Sequence, residues 1–235
     1  MRVTAPAVRL SVVMPVLNEA PAIAEALERL QPLRRRGAEV IVVDGGSRDG
    51  TGALAALHAD RVQRCAPGRA VQMNAGAAAA TGEVLLFLHA DCRLPEDADR
   101  MIATALRDPR RHWGRFDVAI EGRHPLLPVI AWFMNRRSRL TGICTGDQGI
   151  FVRAATFRAC GGYPPLALME DLAFSKRLKA HGWPAALPGP IVASGRRWET
   201  RGTLRTVLLM WRLRLAYFLG ADTRKLAAIY DGPRR

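Results

Sequence analysis

The chain has 235 residues, of which 49% are hydrophobic, and this is enough to bury a sizeable core, so a disordered protein is excluded. Its formal net charge of +14 favours anionic partners such as nucleotides, nucleic acid or an acidic lipid surface. The four cysteines form no CxxC pair and no cluster with histidine, so neither a zinc site nor a disulfide framework is indicated, and a reducing cytoplasm fits them best.

The first half of the chain predicts strands that alternate with helices. Short apolar runs predict strands at 10–14, 39–43 and 84–88, and a weaker strand is predicted at 61–65. Helical patterns follow the four strands at 21–33, 51–58, 69–80 and 96–106. This order is typical of an α/β fold whose mostly parallel central sheet carries helices on both faces. Ligands of such sheets bind beyond the carboxyl ends of the strands, so residues 15–19, 44–49 and 89–92 are the first candidates for a site.

The second half is less regular. The pattern predicts strands at 115–122, 149–153 and 190–194, and helices at 126–140, 170–182 and 203–220. No linker, repeat or low-complexity segment separates the halves. We therefore expect one domain over 1–235, with a nucleotide-binding half at 10–106, an acceptor half at 107–200 and a basic, apolar C-terminal helix within 201–235.

Two acids follow the second predicted strand. Asp44 ends this strand, where an acid can bind a ribose hydroxyl or the edge of a base, or can simply shape the turn; we favour binding. Asp49 is expected to shape the turn and cap the next helix. The Gly-rich phosphate loops GxGxxG and GxxxxGK are absent, which argues against a dinucleotide dehydrogenase and a P-loop NTPase.

Further acids stand at two other predicted loops. Asp91 follows the apolar run 84–88, where a carboxylate can share a divalent cation with a diphosphate. His89 is either a second ligand of that cation or a packed side chain. Glu170 and Asp171 begin a helix, where they either complement the helix dipole or include a general base, and their spacing does not decide between these roles.

Taken in chain order, these motifs resemble the family 2 glycosyltransferases of GT-A fold from about Leu10 to Trp198. The matching segments are VVMPVLNEA, VVDGGSRDGT, PGRAVQMNAGAAAATGE, HAD and MED. Together with GDQGIFVR and SGRRWE, the HAD and MED motifs look like a bacterial subgroup described as radical-SAM/selenodomain-associated transferases.

The resemblance implies roles for individual residues. It implies nucleotide contacts at Pro15, Val16, Glu19, Asp44, Arg69 and Asp91. Asp91 would also bind the diphosphate and a divalent metal, Mn²⁺ or Mg²⁺, with His89 as a candidate second ligand. Asp171, beside Glu170, would be the catalytic base of a single displacement that inverts the anomeric carbon.

The chain departs from the family pattern at two places. His89 occupies the first position of the usual D-x-D motif, which puts the strength and selectivity of the metal site in question. The QxxRW element of processive relatives is reduced to SGRRW, with Ser194 in place of Gln, which argues against processive polymer synthesis. Arg196, Arg197 and Trp198 are still expected to clamp the diphosphate and to cover the sugar or acceptor.

The segment GDQGIFVR places Asp147 and Gln148 in a Gly-rich turn before a strand. We expect this turn near the acceptor, since glycine permits close approach of the backbone to a ligand, although an ordinary turn into a strand has the same pattern.

The predicted helix 203–219 carries apolar residues around most of its circumference. One stripe comprises Leu204, Leu208, Trp211, Leu215 and Phe218, with arginines on its flanks. Such a helix can lie on an anionic membrane surface, but Leu209, Met210 and Leu213 make the other side apolar too, which favours burial against the domain or a homodimer contact.

The function predicted from these features is metal-dependent transfer of a sugar from a nucleoside diphosphate sugar, a UDP-sugar in the first instance, to a small-molecule or lipid acceptor. The alternatives are nucleotidyl transfer and an inactive nucleotide- or membrane-binding module. Nucleic acid is not an expected partner, because the arginines are dispersed rather than interleaved with aromatic residues in a recognisable motif. The expected location is the cytoplasm, with peripheral contact at the inner membrane face as an option.

Overall fold

The computed structural model describes residues 8–232, and within them a single eight-stranded sheet forms the centre of the fold. The strands are β1 (Leu10–Val16), β2 (Glu39–Asp44), β3 (Arg61–Arg64), β4 (Val84–Phe87), β5 (Cys92–Arg93), β6 (Trp113–Glu121), β7 (Phe151–Arg153) and β8 (Ala185–Ser194). Their order across the sheet is β3-β2-β1-β4-β7-β6-β8-β5.

Helices cover both faces of this sheet. They are α1 (Ala20–Glu28), α2 (Gln31–Arg35), α3 (Thr51–Ala56), α4 (Arg69–Ala79), α5 (Ala98–Ala105), α6 (Leu127–Thr141), α7 (Ala154–Ala159), α8 (Glu170–Leu178), α9 (Arg196–Arg201), α10 (Thr203–Phe218) and α11 (Thr223–Asp231). Two short 3₁₀ turns lie at Gly146–Gln148 and Lys179–His181.

The core forms two layers because successive side chains of a strand point to opposite faces of the sheet. Val12 packs in the layer that contains α1, α5 and α6, whereas its neighbour Val13 packs in the layer that contains α4, α7 and α8. A third apolar cluster joins the start of α8 to α10 and α11. The central strands are therefore buried on both faces, which explains their continuous apolar runs.

The α/β fold with a mostly parallel sheet is confirmed. Strand β1 pairs in parallel with β2 and β4, β2 pairs in parallel with β3, and β6 pairs in parallel with β8. The single helix expected at 21–33 is wrong: the structure divides it into α1 and α2. Pro32 lies in the first turn of α2, and a proline cannot continue a preceding helix because it lacks an N–H and clashes with the carbonyl four residues earlier.

The second half joins the same sheet through β7, which pairs antiparallel with both β4 and β6. The strand expected at 190–194 is longer and begins at Ala185. Cys92 and Arg93, expected in a loop, form β5 by pairing antiparallel with β8. Helices α7, α9 and α11 were not predicted from the sequence.

Candidate active site

The carboxyl ends of β1 and β2 are held together by one buried side chain. Gln72 on α4 donates from Nε2 to the carbonyls of Val16 and Val43, each at 2.8 Å. The Val16 side chain is 2% exposed and lies in the core, so only its backbone can approach a ligand. Pro15 precedes it and is half-buried. The strand ends thus form a rigid floor for the expected nucleotide site. The role of Gln72 was not predicted, because no local pattern marks a side chain that joins two strand ends.

The turn after β2 is shaped by Asp44. Its Oδ1 atom accepts hydrogen bonds from the backbone N–H of Gly46 at 3.1 Å, the N–H of Ser47 at 2.8 Å and the Ser47 hydroxyl at 2.6 Å. The other oxygen, Oδ2, faces Gly52, where a Cβ would lie 3.1 Å away. Asp44 therefore shapes the turn, and a nucleotide contact could involve only its second oxygen.

The loops after β1 and β2 are bonded to each other. Asp49 accepts from the Thr51 backbone and hydroxyl through Oδ1, and from the Ala20 backbone N–H at 3.0 Å through Oδ2. The backbone N–H of Glu19 donates to the Thr51 hydroxyl at 2.8 Å. Asp49 thus shapes the turn, as expected, and also holds the first turn of α1. The expected cap of the next helix is not formed by its side chain, because Gly50 is the N-cap residue of α3. Glu19 is half-buried, and burial followed by the charge of Asp91 raises the pKa of its carboxyl.

A cluster of possible metal ligands follows β4. Ligand atoms of His89, Asp91 and Cys92 all lie within 4.8 Å of one another. His89 Nδ1 is 3.4 Å from Asp147 Oδ1, so the Gly-rich turn 146–149 contacts this loop. Burial is the largest influence on the pKa of His89 and lowers it, but the hydrogen bond to Asp147 and the charges of Asp147 and Asp91 together raise it by more, so the net direction is upward. An imidazole nitrogen and a carboxylate oxygen together suit Mn²⁺ better than Mg²⁺, which prefers oxygen ligands alone.

The two acids at the start of α8 have different surroundings. Asp171 accepts from the backbone N–H of Gly146 at 2.9 Å through Oδ2 and from that of Leu172 at 2.8 Å through Oδ1. Glu170 is 5% exposed, and burial, reinforced by the charge of Asp171, raises its pKa to about 7. Desolvation disfavours the ionised form of Glu170, whereas Asp171 is only half-buried and is held in place by its two backbone hydrogen bonds.

Arg69 begins α4 and faces these acids. The side chain is exposed; partial desolvation lowers its pKa, but the Tyr230 phenol and the carboxylates of Glu170, Asp147 and Asp171 together raise it by more. Its guanidinium is therefore the main positive charge opposite the carboxylates. An exposed cation beside several acids is a natural point of attachment for a diphosphate.

In the turn 146–149, one of the two expected site residues is exposed and the other is buried. Asp147 keeps 47% of its side chain exposed beside His89. Gln148 is 0% exposed; its side chain accepts from the Thr145 N–H at 3.2 Å and donates to Asn135 at 3.4 Å. In this conformation Gln148 therefore supports the turn and cannot touch an acceptor directly, contrary to the expectation.

The SGRRW segment forms the beginning of α9. Arg196 is exposed, and its charge opposes the upward pKa shift of Glu19. Arg197 stacks with its Cζ 4.1 Å from the centroid of the Tyr230 ring, and its Nη1 atom is buried without a hydrogen-bond partner in the described part of the chain. Trp198 packs against the core layer of α6, so a role in covering a ligand is limited to its exposed part.

The fold and this cleft define a class of protein: an α/β nucleotide-binding transferase with acids and arginines at the carboxyl ends of its central strands. The chain belongs to glycosyl transferase family 2, whose model matches residues 11–160. No curated protein matches the chain in sequence.

Solved structures show the same GT-A fold. The mannosyltransferase PcManGT from Pyrobaculum calidifontis, in complex with GDP-Man and Mn²⁺, is 26% identical with a TM-score of 0.64, over 97% of this chain and 66% of that one. TarS 1–349 from S. aureus, in complex with UDP-GlcNAc, is 18% identical with a TM-score of 0.64, over 79% of this chain and 58% of that one. Mannosyl-3-phosphoglycerate synthase from Rubrobacter xylanophilus is 17% identical with a TM-score of 0.60, over 91% of this chain and 75% of that one. The chain thus spans less than two thirds of the length of the first two structures.

Within residues 8–232, no helix is both long enough and apolar enough to cross a membrane.

Proposed function

We propose that this chain catalyses metal-dependent transfer of a glycosyl group from a nucleoside diphosphate sugar to a hydroxyl group of a small-molecule or lipid acceptor, with inversion at the anomeric carbon. One observation carries the proposal. In a chain of glycosyl transferase family 2, the turn 146–149 brings Asp147 to 3.4 Å from His89 and donates a backbone hydrogen bond to Asp171.

The nucleotide would bind on the floor formed by the ends of β1 and β2. Pro15, Glu19 and the free oxygen of Asp44 are the side-chain contacts offered there, and Val16 contributes backbone only. A UDP-sugar is the first donor to test. GDP-mannose is the second, because PcManGT, 26% identical to this chain, is described with GDP-Man and Mn²⁺.

The diphosphate would lie between the arginines and the HAD loop. Asp91 and His89 would hold a divalent cation, and their donor set favours Mn²⁺. Such a cation supplies Lewis acidity to the departing diphosphate. Arg69, Arg196 and Arg197 would add charge-assisted hydrogen bonds to the same oxygens.

Asp171 would act as the base. Each of its oxygens accepts one backbone N–H, which fixes the carboxylate and leaves further lone pairs to accept the proton of an acceptor hydroxyl. Glu170 is almost fully buried and has a pKa of about 7. It therefore suits a supporting role beneath Asp171 better than direct contact with an acceptor.

A donor-hydrolysis assay with Mn²⁺ or Mg²⁺ tests this proposal. We expect Asp91→Ala and Asp171→Asn each to lower turnover, the second by about 10²- to 10⁴-fold as for loss of a general base. Asp97→Asn is the matched control, since Asp97 is exposed at the start of α5 and lies outside the cleft. Wild-type turnover in both Asp91→Ala and Asp171→Asn would overturn the assignment.

The same assay separates the two alternatives. Glycosyl transfer and hydrolysis release a nucleoside diphosphate, whereas nucleotidyl transfer releases pyrophosphate. An inactive binding module would be stabilised by nucleotides in a thermal-shift measurement, since ligands that bind only the folded state raise its stability, but it would show no turnover.

We also propose membership of the radical-SAM/selenodomain-associated subgroup, which the HAD motif with its His89 supports. A cytoplasmic location is proposed on the cysteine content alone.

The outer face of α10 supports a partner for this helix. Its stripe of Leu204, Leu208, Trp211, Leu215 and Phe218 is exposed, whereas Leu213 is buried on the opposite side. Burial of the whole helix against the domain is therefore wrong. An anionic membrane surface and a second copy of the chain both fit the stripe. Vesicle flotation and sedimentation velocity distinguish these two partners.

A further inference from the structure

Two arginines outside the machinery described above lie close together on α6 and α10. Arg137 and Arg214 are both half-buried. The Nη2 atom of Arg137 is buried without a hydrogen-bond partner among the described residues. Within residues 8–232, neither side chain forms a hydrogen bond or an ion pair.

The pair lies beside the proposed base. Leu213, adjacent to Arg214, packs in one cluster with Met169 and Leu172, which flank Glu170 and Asp171. The negative charge of Asp171 acts on both guanidinium groups, and that of Asp147 acts on Arg214. Both arginines follow residue 107, on α6 and α10, and so lie outside the part of the chain expected to bind the nucleotide.

The neighbouring acids do not compensate the two positive charges. Burial and the charge of Arg214 lower the pKa of Arg137 to about 10, and burial lowers the pKa of Arg214 as well. Asp171 already accepts one hydrogen bond at each oxygen, from the backbone of Gly146 and of Leu172. A half-buried pair of like charges with an unused donor is costly to a folded protein, and an anion is the ligand that removes this cost.

We propose that Arg137 and Arg214 bind an anionic group of the acceptor, so that the hydroxyl presented to Asp171 belongs to a molecule that carries a phosphate or a carboxylate. The planar forks of two guanidinium groups match the oxygens of either anion. This inference rests on the proposed glycosyl transfer, since it names the class of acceptor.

The test measures binding of small hydroxyl compounds by calorimetry with the donor side already filled by UDP and Mn²⁺. The probes are glycerol 3-phosphate, glycerate and, as the neutral control, glycerol. We expect one or both anions, but not glycerol, to bind the wild-type chain. Arg137→Gln with Arg214→Gln should weaken this binding by about ten- to a hundredfold, the loss expected for charge-assisted hydrogen bonds.

The controls are Arg136→Gln and Arg212→Gln, which remove exposed arginines from the same two helices. They should leave anion binding within about twofold of the wild type, a change of less than about half a kcal/mol. Should the double variant fail to fold, Arg214→Lys is the alternative. It keeps the positive charge but loses the paired N–H donors of the guanidinium group, and it should also weaken anion binding.

A soluble anion and a lipid headgroup are distinguished by a second arm with phosphatidylcholine vesicles that contain phosphatidic acid. Flotation that requires phosphatidic acid and is lost in the double variant assigns a lipid acceptor, whereas binding of the soluble anions alone assigns a small molecule. The proposal is overturned if no anion binds, if the double variant binds as the wild type does, or if the anion displaces UDP. UDP binding titrated separately shows whether the proposed donor site itself fails.

Discussion

The buried carboxyl of Glu170 makes the stability of this chain depend on pH in a defined direction. Its folded-state pKa of about 7 compares with an ordinary value of 4.5. Because about 1.4 kcal/mol corresponds to each tenfold change in acidity, ionising Glu170 at pH 8 costs about 3 kcal/mol more in the folded chain than in the unfolded one. Between these two pKa values the folded chain holds the proton and the unfolded chain does not, so stability falls as pH rises from about 4.5 to about 7.

Glu170→Gln removes this dependence, since glutamine stays neutral at every pH. We expect the wild-type chain to lose about 2 to 3 kcal/mol more stability than Glu170→Gln between pH 5 and pH 8. Urea unfolding followed by tryptophan fluorescence, with EDTA and without nucleotide, measures the difference. Glu28→Gln at the exposed end of α1 is the control.

Asp171, the neighbour of Glu170, allows a second test of this pH dependence. The charge of Asp171 raises the pKa of Glu170 after burial does, so in Asp171→Asn the loss of stability should end at a lower pH and should be smaller. Without that charge Glu170 ionises more readily, so its folded-state pKa moves toward the ordinary value. The part of the stability loss that depends on the charge of Asp171 is then absent. A stability difference between the wild type and Glu170→Gln that stays constant from pH 5 to pH 8 would refute this reasoning.

Three further substitutions test how the cleft is held. Gln72→Leu leaves two strand-end carbonyls without their donor and should cost about 2 to 4 kcal/mol in urea unfolding. Gly76→Ala should also destabilise, by about 1 to 3 kcal/mol, because its Cβ would lie 2.4 Å from a methyl group of β1; an unchanged midpoint would contradict the packing described. Gly146→Ala would place a Cβ 2.5 Å from the His89 ring, so we expect weaker Mn²⁺ binding in a calorimetric titration, with Ala159→Gly on α7 as a distant control.

The first half of the fold was predictable because its signals are local. Apolar runs of four or more residues mark β1, β2 and β4, and helical periodicity marks the helices between the strands. Strand β5 depends instead on the pairing of Cys92 and Arg93 with β8. A two-residue strand has no pattern of its own, so only the tertiary fold reveals it.

The site was predictable to the same degree. Strand-end reasoning identified Asp44 and Asp91 as candidates, and the structure places both at the expected edge of the sheet. It did not indicate that Gln148 would turn inward, because burial of a polar side chain in a Gly-rich turn depends on the partners that the fold brings to it. The half-buried positions of Arg137 and Arg214 could not be predicted either, because arginine in a helix usually reaches solvent and only the tertiary fold encloses these two.

The contact between Asp147 and His89 gives a physical account of the departure at the D-x-D position. With histidine at this position the HAD loop has one carboxylate fewer than the usual motif. Asp147, from a different loop, places a carboxylate nearby, with its Oδ1 atom 3.4 Å from His89 Nδ1. The same turn donates the Gly146 N–H to Asp171. The proposed metal ligand His89 and the proposed base Asp171 therefore both contact one Gly-rich turn. Any change that displaces this turn is expected to alter cation binding and the position of Asp171 together.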